Sequence, residues 1–176
     1  MADDAPAVTG KHISADRELT ARAVTIAKPA DELYAFFRDL SNLPQFMDNV
    51  VRIDVLDDRR SHWVVKAPAG KTVEWDATVT AEEPGRSFTW QSDEGADVPN
   101  SGKVEFREAG ARGTVVTATI AYDPPAGAIG KLIAKMFQRE PAIQARRDLR
   151  RFKQLMETGE IATASWTRAQ LEEEKN

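Results

Sequence analysis

Apolar and polar residues alternate through the middle of the chain, and apolar residues at helical spacing flank that stretch on both sides. RAVTIAKP predicts a short strand carrying Val24 and Ile26. Pro29 then opens DELYAFFRDL, where Leu33, Phe36, Phe37 and Leu40 fall at i, i+3, i+4 and i+7 behind an acidic first turn. Ser41 is the expected cap of a further short helix, SNLPQFM, with Pro44 near its start.

Strand signals follow at short spacing, broken by DDRR, PAGK, EEPGR, a loop from Asp97 to Gly102, and EAGARG. No helix separates them, so the pattern predicts an antiparallel meander. One face collects Trp63, Val65 and Ala67, then Trp75, Ala77 and Val79, Phe88 and Trp90, Val104 and Phe106, and Val116, Ala118, Ile120 and Tyr122. The intervening positions, among them Lys66, Glu74, Asp76, Thr78, Thr80, Thr117 and Thr119, are polar, so one face is buried and the other wet. In the last third, at about 100° per residue, Ile129, Leu132, Ile133 and Met136 lie nearly opposite Ala145, Leu149, Phe152 and Met156. One straight helix cannot bury both stripes. Pro141 marks the break, predicting a short helix near 126–138 and a longer one near 141–158 that ends at Gly159.

With 176 residues the chain suits one domain: residues 1–17 and 159–176 read as polar tails around a body at 18–158, with Trp166 a possible anchor for the second tail. The 24 basic and 28 acidic residues give a formal charge of −4. There is no cysteine, and His12 and His62 stand in no metal-ligand motif, so neither a metal site nor a cofactor is expected. MADDAPAVTG is acidic where a secretory leader is basic, and no apolar run approaches the roughly 18 residues of a membrane span, so the expected location is cytoplasmic.

The stretches VTIAKPADELYAFFRDLSNLPQFM, WVVKAPAGKTVEWDATVTAEEPGRSFTWQS, YDPPAG and DLRRFKQLMETGE resemble the polyketide cyclase/dehydrase family of the START and birch-pollen-allergen-like (SRPBCC) superfamily, which includes coenzyme Q-binding proteins. The likeness spans roughly residues 18–160. It implies an α+β helix-grip fold: a curved antiparallel sheet of six or seven strands wrapped on a long C-terminal helix, with two small helices after the first strand. It also implies a cavity for a hydrophobic ligand between sheet and helix. The inward-facing and helix-face residues Trp63, Trp75, Trp90, Phe106, Ile120, Tyr122, Ile133, Phe137, Leu149 and Phe152 are the expected lining. Tyr122 is the expected polar handle within it.

Candidate chemistry is sparse. Glu74 and Asp76 flank Trp75 and so point away from it, into water, where they are poorly placed for acid–base work. His62 alternates with Trp63 and should face outward too. The loop holding Asp97, Asn100 and Ser101 is a candidate flap over a portal. No P-loop, dinucleotide-binding or nucleophile-elbow pattern occurs. The segment Arg139–Lys153 carries a local charge of +4, with Arg147, Arg150 and Arg151 expected on its outer face, but no aromatics interleave as nucleic-acid binding would require. GAIGKLIAKMF, over 127–137, has the pattern of a movable gate able to touch a bilayer. The sequence therefore predicts a protein that binds or carries a lipid, quinone or polyketide-like molecule without making or breaking bonds. A cyclase, aromatase or dehydratase on such a ligand, and an adaptor working through the basic helix, are the alternatives. No catalytic residue can be named.

Overall fold

A computed structural model of the chain describes residues 18–123 and 141–160. The predicted meander forms a single sheet of seven antiparallel strands: β1 (Glu18–Ile26), β2 (Val50–Val55), β3 (Arg60–Lys66), β4 (Thr72–Glu83), β5 (Ser87–Ser92), β6 (Asn100–Glu108) and β7 (Thr114–Tyr122). Their order is β1-β7-β6-β5-β4-β3-β2, so consecutive strands are hairpin partners except β1, which crosses over to pair with β7. The crossover holds helix α1 (Ala30–Arg38) and a 3-10 helix over Leu40–Gln45. Helix α2 (Pro141–Thr158) lies along β1 and completes the helix-grip arrangement. No helix among the described residues is long and apolar enough to cross a membrane.

Local sequence explains these elements. Pro29 takes the extended N-cap position of α1, and Asp31 and Glu32 complement the positive end of its dipole. Arg38 closes the helix by reaching two neighbours. Its Nε donates to Glu82 of β4 at 2.8 Å and its Nη2 to the Asp58 carbonyl at 2.6 Å, while the Tyr34 hydroxyl donates to the same Glu82 at 3.3 Å. The short helix departs from expectation at its cap: the Asp39 carboxylate, not Ser41, accepts the free backbone N–H, that of Ser41 itself. A carboxylate is the better partner at a helix start because it also meets the dipole with negative charge. At the other end of the chain Gly159 adopts φ 77° and its N–H returns to the Leu155 carbonyl at 2.8 Å, the left-handed stop predicted there.

The core gathers where α1, the 3-10 helix and the C-terminal half of α2 meet the sheet. Phe152 is fully buried among three rings, with centroids at 4.9 Å to Phe46, 5.1 Å to Phe37 and 6.2 Å to Phe36. Phe106 faces Tyr34 and Phe37 edge-on from β6. These contacts fill one end of the concave face solidly. The predicted helix near 126–138, both tails as far as residues 17 and 161, and Trp166 lie outside the described residues.

Candidate ligand-binding cavity

At the other end of the concave face the sheet presents three tryptophans. Trp63 of β3 and Trp75 of β4 are direct register partners, and their indoles stack at 6.2 Å with planes 14° apart. The Trp63 Nε1–H donates to the buried Ser61 hydroxyl at 2.9 Å. Trp90 of β5 faces Gly102 of β6, whose missing side chain is what lets the indole lie across the strand. A Cβ at Gly102 would overlap that ring and crowd the Thr119 carbonyl. The Trp90 Nε1–H donates at 3.2 Å to the Asn100 Oδ1, and the Asn100 amide in turn donates to the Val98 carbonyl at 2.8 Å. Each of these two indole N–H groups is thereby satisfied without water.

The expected loop at 97–102 is thus half strand. β6 starts at Asn100, whose N–H is taken by the Ser92 hydroxyl at 2.9 Å, while the Asp97 carboxylate accepts from the Glu74 N–H at 2.8 Å. Val98 between them is fully buried. The segment is pinned to the sheet and forms cavity wall instead of a free flap.

Beneath the tryptophans lies a cavity of about 520 Å³, walled by Trp63, Val65, Trp75, Ala77, Trp90, Ile120 and Tyr122 of the sheet, by Leu43, Met47 and Asn49 of the crossover, and by Gln144, Ala145, Arg147 and Asp148 of α2. The size falls in the range of drug-sized ligand sites, about 300–1,000 Å³. Helix α2 divides its labour along its length: Leu149 and Phe152 plug the core, whereas Ala145 and the polar side chains a turn earlier leave space. Of the ten expected lining residues, Trp63, Trp75, Trp90, Ile120 and Tyr122 meet at the cavity. Phe106, Leu149 and Phe152 do not border it, because they sit at the filled end of the same face. Ile133 and Phe137, with the proposed gate at 127–137, lie outside the described residues.

Two polar groups stand in the wall. Asn100, which the sequence places in a candidate flap, is fixed there as the first residue of β6. Asp148 lies in the stretch whose net charge reads as basic, yet at about 100° per residue it falls between Gln144 and Phe152, inside the buried arc. Burial in this apolar wall, with the Asp48 carboxylate adding to it, pushes the Asp148 carboxyl up to about 7, against the opposing pull of a 2.9 Å hydrogen bond from Gln144 and of Arg151 and Arg147. The basic face of α2 also differs from expectation. Arg151 is drawn inward to an ion pair with Asp48, while Arg147 and Arg150 stay exposed, Arg147 also bordering the cavity.

On the convex face His62 does point outward, as alternation predicts. It bridges β3 to β4: Nδ1 contacts Asp76 at 2.7 Å and Nε2 contacts Glu74 at 3.4 Å, and these bonds, the Asp76 one foremost, raise its pKa. Asp76 and Asp93 also share Arg60. Glu74, Asp76 and His62 therefore form an outer charge network, separated from the cavity by the sheet. No metal-binding cluster of His and carboxylates exists among the described residues.

Sequence comparison matches residues 26–150 to the family described as polyketide cyclase/dehydrase and lipid transport. The chain belongs to that family. Among curated protein sequences none matches this polyketide cyclase/dehydrase member significantly. Among solved structures, a protein from Deinococcus radiodurans is 46% identical, with 81% of this chain covering 99% of that one at a TM-score of 0.65. The Zhui aromatase/cyclase from Streptomyces sp. R1128 is 16% identical over 83% of this chain and 99% of its own, TM-score 0.64. A START superfamily protein from Mycobacterium smegmatis is 13% identical over 74% and 97%, TM-score 0.54. The last two share the fold alone, a curved antiparallel sheet gripping a long C-terminal helix.

Proposed function

We propose that residues 18–158 bind a hydrophobic small molecule (a lipid, quinone or polyketide-like compound) in the tryptophan-lined cavity, and that the protein carries or sequesters it without changing its bonds. The observation that carries this reading is the cavity itself. Inward-facing side chains of a sheet this size ordinarily fill the space beneath it, as they do around Phe152, whereas about 520 Å³ remains open beside Trp63, Trp75 and Trp90. A parallel indole pair offers a flat, rigid apolar wall suited to a planar or polyisoprenoid ligand. Ser61, Asn100 and Tyr122 supply the few polar contacts that orient such a guest. Titration of the intrinsic tryptophan fluorescence with a panel of fatty acids, quinones and fused-ring polyphenols tests it. Saturable quenching that Trp75→Ala weakens at least tenfold is expected, and a panel without saturable change overturns it.

One observation favours a second reading, an enzyme of the cyclase or dehydratase type. Asp148 places a group that ionises near neutrality against the cavity, which is what proton transfer to or from a bound ligand requires. Turnover of a bound compound that Asp148→Asn abolishes while leaving its affinity intact would move the assignment there. The adaptor reading is weakened, since it needs Arg147, Arg150 and Arg151 as one outward face and Arg151 is held by Asp48.

A further inference from the structure

The cavity wall has two sides that no strand joins: the crossover segment Met47–Asn49–Val50 and the first turns of α2, Gln144 to Asp148. One ion pair described between them spans this seam. Arg151 of α2 reaches Asp48, its Nη1 shielded from solvent while the Asp48 side chain remains 59% exposed. Three residues back on the same helix face stands Asp148, close enough to Arg151 to feel its charge. We propose that Arg151 is a latch shared by two carboxylates, and that the protonation state of Asp148 decides whether Arg151 straps this seam of the cavity wall through Asp48 or turns inward and releases it. This rests on the cavity being the ligand site.

The competition follows from the surroundings of each group. While Asp148 is neutral it needs no counter-charge, the Gln144 amide suffices for it, and Arg151 stays with Asp48. Once ionised, it becomes a carboxylate in an apolar wall, where an unpaired charge is strongly disfavoured. Arg151 is the cation on its own helix face. Arg147 is adjacent in sequence and turned about 100° around the axis. Across the cavity β7 presents the phenol of Tyr122, and on β1, against which α2 packs, the Arg22 guanidinium donates to the Ala21 carbonyl at 2.9 Å. Asp48, being exposed, returns to water at little penalty when Arg151 leaves. Neutral solution is thus the point at which the strap changes hands, and the seam between α2 and the crossover loosens on the alkaline side.

Stopped-flow displacement of a neutral probe, N-phenyl-1-naphthylamine, from the full chain tests this between about pH 5.5 and 8.5. The wild-type dissociation rate should rise about fivefold across that range, as expected for losing one part-buried ion pair. Asp148→Asn should be slow throughout and Asp48→Asn fast throughout. A wild-type rate independent of pH, with the probe bound at both ends of the range, overturns the latch and leaves the cavity reading standing. Failure of the probe to bind at any pH overturns both. Carbon-13 carboxyl titration of the unliganded protein supplies a readout without ligand. The Asp148 midpoint should fall in Asp48→Asn and rise in Arg151→Gln, and no movement in either refutes a shared guanidinium.

Discussion

Asp148→Asn should stabilise the protein, and by an amount that depends on pH in a calculable way. A carboxyl that ionises near 3.8 in the unfolded chain and at about 7 in the folded one binds its proton more tightly when folded, so wild-type stability falls as pH rises between those two values. At about 1.4 kcal/mol per pH unit the loss reaches roughly 4 kcal/mol above neutrality and then levels off, because both states are ionised there. Asparagine has the shape of the neutral acid and its oxygen can keep the hydrogen bond from Gln144, so it escapes the loss. Urea denaturation of both proteins at matched pH isolates this one group, since every other titration cancels in the difference. The mutant's advantage should be roughly 1 to 2 kcal/mol near pH 5, grow by roughly 2 to 3 kcal/mol by pH 8, and be flat beyond. A difference that does not change with pH would mean that Asp148 is solvated and ionised like any surface aspartate, and that this end of the cavity is wet and open.

The other expectations follow from single contacts. Phe152→Ala removes a ring enclosed by Phe36, Phe37 and Phe46 and should destabilise by about 3 to 5 kcal/mol in thermal or urea unfolding; a loss below about 1 would place the residue outside the core. Gly102→Ala must displace the Trp90 indole, so a loss of about 1 to 3 kcal/mol with an altered tryptophan emission spectrum is expected, and an unchanged spectrum would contradict the packing of ring on glycine. His62 has a raised pKa, so its bonds to Asp76 and Glu74 contribute fully below about pH 6.5, and that contribution disappears as pH rises through the folded-state value. With both partners well exposed, His62→Gln should lower stability by less than about 1 kcal/mol in acid and not at all in alkali.

Period-two alternation was enough to place Trp63, Trp75, Trp90, Ile120 and Tyr122 on one face, because a half-buried sheet leaves a residue only two sides to choose from. It could not separate cavity from core. Phe106 and Tyr122 face the same way on neighbouring strands, yet one meets Tyr34 and Phe37 and the other borders open space, and what distinguishes them is how far along the sheet α1 and Phe152 extend. That boundary is set by tertiary packing, where a few side-chain volumes decide between contact and void. The phase of α2 was readable, and with it the inward position of Asp148. Its neighbours Arg146, Arg147, Arg150 and Arg151 made the segment look like a solvated basic face and hid the one carboxyl that turns in. The start of β6 was missed for a different reason. PNSG has the composition of a turn, and what holds it in the sheet is tertiary: pairing with β5 and β7 on either side, the hydroxyl of Ser92, and the indole lying over Gly102.

The central claim is that the space under Trp63, Trp75 and Trp90 holds a hydrophobic guest. Native mass spectrometry of freshly purified protein, followed by organic extraction of whatever is released, tests it most directly. The account predicts a stoichiometric adduct, lost on extraction, whose apolar compound rebinds to the wild type and not to a variant with the cavity filled by Ala77→Phe. A clean apo mass with no uptake from the lipid, quinone and polyphenol panel would contradict it.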